Sequence, residues 1–86
     1  MNEELLKTLE GWTYDAKKKC IVKEFLFKSY LKNISFVNAI AWIANKQNHH
    51  PDLFVSFGKC IVSLTTHDEG GVSAKDIQVA LEINKL

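Results

Sequence analysis

The sequence predicts an α+β fold: a four-stranded antiparallel sheet with three helices on one face. Three observations predict it. Apolar periodicity runs in the order α-β-β-α-β-β-α along the chain. Each pair of strand-like runs is joined by a short turn, the hairpin connection of antiparallel strands. The 86 residues, 47% hydrophobic and 24% charged, have the size and composition of one globular domain over residues 1–86.

Residues 2–9 form a short amphipathic helix. Leu5, Leu6 and Leu9 share one side, and Glu3 and Glu4 sit in the first turn, where acids complement the helix dipole. Gly11 stops it. Trp12 to Ala16 and Cys20 to Phe27 read as two strands. The second sets Lys23, Phe25 and Phe27 against Val22, Glu24 and Leu26. Lys17-Lys18-Lys19 between them is a solvated turn, since a phosphate-binding loop would want glycines there.

Ser29 caps a long helix that runs to Gln47. Ile34, Val37, Ala41 and Ala44 form its apolar stripe, Phe36, Ile40 and Ile43 widen it, and Ala39 and Trp42 extend it further round. Lys32, Ser35, Asn38, Asn45 and Lys46 hold the polar face. So broad a stripe is more than one sheet face requires, and it predicts a second buried contact, most simply another subunit.

His49-His50-Pro51 ends that helix, because the residue before a proline is disfavoured in the α region. Leu53 to Phe57 and Lys59 to Thr66 make a hairpin around Gly58. On the second strand Cys60, Val62 and Leu64 face one way, and Ile61, Ser63, Thr65 and His67 the other. Gly70-Gly71 breaks the chain. Ser73-Ala74-Lys75-Asp76 starts a last helix in the manner of a capping box, with Ile77, Ala80, Leu81 and Ile83 turned inward.

Charge narrows the function classes. Eleven basic and ten acidic residues leave +1, too little field to attract nucleic acid or an anionic membrane. All the basic residues are Lys, so bidentate reading of phosphate or guanine loses its usual donor. Cys20 and Cys60 stand forty residues apart outside any CxxC, and in apolar runs they read as small hydrophobes. The longest apolar run, Ala39 to Ala44, is far short of a membrane span. With a polar, acidic start to the chain, these features predict a reduced, cytoplasmic protein.

His49, His50 and His67 are the chemistry-bearing residues. Each stands at an element boundary beside turn-forming residues, where functional groups gather. A zinc site would want three or four convergent ligands at regular spacings; adjacent histidines with no nearby Cys fit poorly, so no metal is expected. Acid–base work asks less, since a neutral imidazole both gives and takes a proton near pH 7. Ser56, Ser63 and Ser73 lack a nucleophile elbow, and no Gly-rich loop has nucleotide-binding spacing. The residues thus point to proton transfer without naming a substrate.

The stretch from His49 to Asp76 resembles the signature of the pterin-4a-carbinolamine dehydratases. That signature is a His-His-Pro, an aromatic, a further His and an Asp, here His49-His50-Pro51, Phe57, His67 and Asp76. The run Leu64-Thr65-Thr66-His67-Asp68-Glu69-Gly70-Gly71-Val72 is also close to the family's strand end and loop, and Gly11-Trp12 and Phe25-Leu26-Phe27 fit its layout. The resemblance covers nearly the whole chain. Asn45 departs from it, at a position where the family commonly carries an acid, and Leu53 replaces a common tryptophan.

The resemblance implies a cofactor-free dehydratase that converts 4a-hydroxytetrahydropterin to quinonoid dihydropterin in pterin recycling. It makes His49 and His67 the acid–base candidates and His50 a substrate contact, with Asn48, Thr65, Thr66 and Asp68 lining the pocket. It implies a homodimer through joined sheets or a homotetramer through the long helix. Some members serve instead as dimerisation cofactors of a transcription factor, and degenerate relatives as assembly factors. Degeneration should erase histidines first, and all three are present, so the enzyme reading is favoured.

Overall fold

Cys60, Val62 and Leu64 alternate with less buried Ile61 and Ser63, so one face of their strand needs covering. The computed structural model, which describes residues 3–86, shows what covers it. In chain order the elements are α1 (Glu3–Lys7), β1 (Thr13–Asp15), β2 (Cys20–Leu26), α2 (Tyr30–Gln47), β3 (Asp52–Ser56) and β4 (Lys59–Leu64). A single 3₁₀ turn, His67–Glu69, and α3 (Ala74–Asn84) complete the chain. Asn2, included in the expected first helix, lies outside the described residues.

The strands form one antiparallel sheet in the order β1-β2-β4-β3, the architecture the hairpins predict. Register aligns the apolar faces of the two central strands: Ile21 stands opposite Leu64, Lys23 opposite Val62 and Phe25 opposite Cys60. Leu9, Trp12, Ile40, Ile77, Val79, Ala80 and Ile83 close over that face. Lys23 is the one charged residue in this inward row, and its ammonium leaves at the sheet margin, where it donates to Glu10 O and to Asn84 Oδ1, both at 2.8 Å. The Trp12 indole donates to the same Asn84 oxygen at 3.0 Å. Gly11 has φ +83°, a left-handed conformation that favours glycine, and a Cβ there would stand 2.6 Å from Lys23 Cε and push the end of that side chain aside.

Two expected stripes are corrected. On α2 the buried residues are Asn33, Ile40 and Ala44, and half-buried Phe36, Val37 and Ile43 pack against the core; Ile34 is half-buried outside that core and Ala41 is exposed. The inward line is therefore 33-37-40-44 rather than 34-37-41-44. Asn33 sets this rotation. Its Nδ2 donates to Ser56 O at 2.8 Å and Lys59 O at 3.0 Å, clamping the β3–β4 turn against the first turn of the helix. On α3 Asp76, Ile77, Val79, Ala80 and Ile83 are buried and Leu81 is 41% exposed. Leu81 lies about 140° round the helix from Asp76, so burying the acid turns the leucine outward.

Cys20 and Cys60 are buried free thiols, and burial is the main cause pushing both above the usual thiol range. No helix among the described residues is long and apolar enough to cross a membrane.

Asn33→Ala should leave two part-buried carbonyls without this donor and lower the unfolding free energy by about 1–3 kcal/mol. Equilibrium urea denaturation of wild type and variant checks this, and equal midpoints would show that the clamp contributes nothing.

Candidate active site

The end of α2 delivers the first two histidines. Asn48 takes the left-handed conformation (φ 50°, ψ 41°), which asparagine tolerates better than most residues. The next amide, His49 N, donates to Ala44 O at 3.1 Å, which closes the helix end and reverses the chain. His49 then turns inward, with a side chain only 13% exposed, and its Nε2 lies 2.5 Å from Asp76 Oδ1. His50 is exposed and turns elsewhere. It lines a cavity of about 430 Å³ with Ile40, Ala41, Ala44, Asn45, Pro51 and Leu53.

Asp76 is 0% exposed. Its Oδ2 accepts from the Ser73 amide and from the Thr66 hydroxyl, both at 2.8 Å. The Ser73 contact is half of the capping box that starts α3. A carboxylate offers only acceptors, so the His49 nitrogen facing it carries the proton. This fixes the imidazole tautomer and ring orientation, and leaves Nδ1 as the nitrogen free to take a proton. Sequence reading found Asp76 twice, as a signature position and as a cap, and gave it no part in the chemistry. The missing information was the fold, which brings the third-position acid of α3 to the end of α2.

His67 opens the 3₁₀ turn and is exposed, as are Asp68 and Asn48. The turn sits in a loop closed at its base by paired Thr66 and Gly71. Thr65 donates its hydroxyl to Lys19 O at 2.8 Å, which pins the loop to the lysine turn. The structure thus joins His49, Asp76, Thr66 and the root of His67 in one cluster, while His50 and Asn45 share a separate concavity. The departure at Asn45 falls on the His50 side, and His49 draws its carboxylate from Asp76 instead. Among the described residues, no three His, Cys, Asp or Glu side chains converge as metal ligands would.

The family model described as pterin 4 alpha carbinolamine dehydratase matches residues 1–86. A protein of Nitrosospira multiformis, provisionally named pterin-4-alpha-carbinolamine dehydratase, is 46% identical over 83 residues, covering 96% of this chain and 72% of its own. One from Sulfolobus acidocaldarius with the same provisional name is 42% identical over 81 residues, covering 94% and 87%. A crystal structure from Brucella melitensis, described as a transcriptional coactivator/pterin dehydratase, superposes with a TM-score of 0.91 at 34% identity, over 96% of this chain and 88% of that one. A pterin dehydratase-like protein described as a RuBisCO assembly factor shares the fold, with a TM-score of 0.74 at 19% identity over 88% of each chain.

Removing the Asp76 carboxylate takes the acceptor from three donors at once, the buried Thr66 hydroxyl and the part-buried Ser73 amide and His49 ring. Asp76→Ala should therefore lower the unfolding free energy by about 2–4 kcal/mol. Urea denaturation measures it, and a loss below about 0.5 kcal/mol, the usual range of an indifferent surface change, would show that the network does not hold the fold.

Proposed function

This chain belongs to the pterin 4 alpha carbinolamine dehydratase family, and we propose that it is a hydro-lyase converting 4a-hydroxytetrahydropterin to quinonoid dihydropterin and water. The observation that carries the reading is the buried His49–Asp76 pair. Loss of water breaks the C4a–O bond, with a proton delivered to the leaving oxygen. A proton leaves the ring nitrogen, and its electron pair completes the C=N bond. In this reading His49, held by Asp76, takes the nitrogen proton on Nδ1, and exposed His67 gives a proton to the leaving hydroxyl. His50 orients the pterin from its own side, and Asn48, Thr65 and Asp68 border the site. No metal or cofactor enters the step. The buried free thiols suit a reducing cytoplasm, where such an enzyme would recycle a reduced pterin cofactor.

The outer face of α2 supports association. Leu31 is 75% and Trp42 76% exposed, and eleven residues, about three turns, set them on nearly the same line. A cavity of about 730 Å³ beside Trp42 runs from Ile43, Asn45, Lys46 and Gln47 to Glu82 of α3. We propose that a second copy of the chain covers this face, in a dimer or tetramer. The same exposed face favours a second reading, a protein-binding role, and the Brucella relative's description names both kinds of activity.

His49→Ala and His67→Ala should each slow dehydration, by roughly 10²–10⁴-fold for loss of a positioned acid or base. The spontaneous reaction will mask part of that loss. A stopped assay of 4a-hydroxytetrahydropterin consumption tests this before and after dialysis against a chelator. Wild-type rates in both variants, or a rate abolished by the chelator, would sink the proposed chemistry.

Trp42→Glu would bury an unpaired charge in the proposed contact, so it should lower the assembly state while far-UV circular dichroism stays native. Light scattering decides it: a monomeric wild type, or a variant of unchanged mass, removes the interface.

A further inference from the structure

We propose that Thr66 is a positioning residue that sets His49 and His67 relative to one another, a role that rests on the dehydratase reading above. Thr66 is only 6% exposed, and its hydroxyl faces inward. Its backbone serves one histidine. Thr66 N donates to Gly71 O at 2.9 Å, and Gly71 N donates back to Thr66 O at 3.2 Å, closing the base of the loop whose first residue is His67. The side chain serves the other. Its hydroxyl donates to Asp76 Oδ2 at 2.8 Å, and Asp76 Oδ1 holds His49.

A hydroxyl has one proton to give. With that proton on Asp76, the Ser73 hydroxyl 2.7 Å away is the donor to Thr66. The order of donation is therefore Ser73 to Thr66 to Asp76, with His49 donating to the far oxygen of the same carboxylate. Two donors on Oδ2, the Thr66 hydroxyl and the Ser73 amide, hold the carboxylate plane and keep Oδ1 for the imidazole. Without the hydroxyl the carboxylate can rotate about its last bond, and the ring it orients can follow. The side-chain bonds of one residue thus fix the ring of His49 while its backbone bonds fix the loop of His67. Misplacement of about 1 Å between two groups that must act on one substrate can cost on the order of 10²-fold in rate.

The test compares Thr66→Val, which removes the hydroxyl at nearly constant shape, with Thr66→Ser, which keeps it. Thr66→Ala, which sets no methyl against Ser73 and Asp76, replaces the valine variant where that one does not fold. For each, kcat, KM and Tm are measured, together with the downfield proton resonance of the His49 imidazole N–H bonded to Asp76. Thr66→Val should cut kcat roughly 10–100-fold with KM nearly unchanged, and should shift or abolish the His49 resonance. Thr66→Ser should keep both near wild type. The proposal is overturned if Thr66→Val lowers Tm alone, leaving kcat and the resonance as they were, or if Thr66→Ser loses as much as Thr66→Val. A wild type without dehydratase activity would defeat the functional reading by itself, and the His49 resonance in the two variants would still decide the role of Thr66.

Discussion

A buried carboxylate must be given donors, and in this protein the donors of Asp76 come from three separate parts of the chain. The Ser73 amide belongs to the start of α3, the Thr66 hydroxyl to the strand end, and the His49 ring to the turn after α2. Each is an element boundary that hydrophobic burial alone would leave loosely placed, because burial has no direction. Hydrogen bonds to one fully enclosed acid supply the missing direction. The geometry of the candidate site and the capping of the last helix are therefore one structural fact, and the site cannot be re-aimed without disturbing the fold.

The long helix shows a complementary division of labour. Its inner face is chosen by Asn33, a polar residue buried because two turn carbonyls need its amide protons. Asn33 Oδ1 is buried without a hydrogen-bond partner among the described residues, a local cost accepted for holding the β3–β4 turn in register. Its outer face leaves Leu31 and Trp42 in solvent. A chain of 86 residues has little core to spare, and apolar surface on an exposed helix is what a further contact would use. The C-terminal turn of the same helix then hands the chain to His49, so the element that supports the sheet and offers an outer face also aims the candidate base.

Much of this was legible in the residues. Alternation in β4, the hairpin turns, Ser29 as an N-cap and the Ser73–Asp76 capping box all act through local geometry, with periods of two or three to four residues. They therefore appear directly in sequence. The spacing of His49, His50, His67 and Asp76 was visible for the same reason, as a pattern along the chain. The rotation of α2 was not legible. Ile34 and Ala41 look better suited to burial than Asn33, and the two carbonyls of a turn more than twenty residues on reverse that preference. Leu81 was misplaced likewise, because hydrophobicity argues for burying it and the enclosure of Asp76 overrides that.

The sequence by itself determined the order of the elements, the antiparallel sheet and which residues could carry proton chemistry. These follow from periodicity and from side-chain type, both properties of neighbours in the chain. Tertiary structure alone decided what those residues face. It sent His49 inward to Asp76 and left its neighbour His50 on another cavity with Asn45. It turned the hydroxyl of Thr66 away from solvent and into the acid that holds His49. Hydrogen bonding is directional and acts over about 3 Å, so a partner twenty-seven residues away exists only once packing has brought its element alongside.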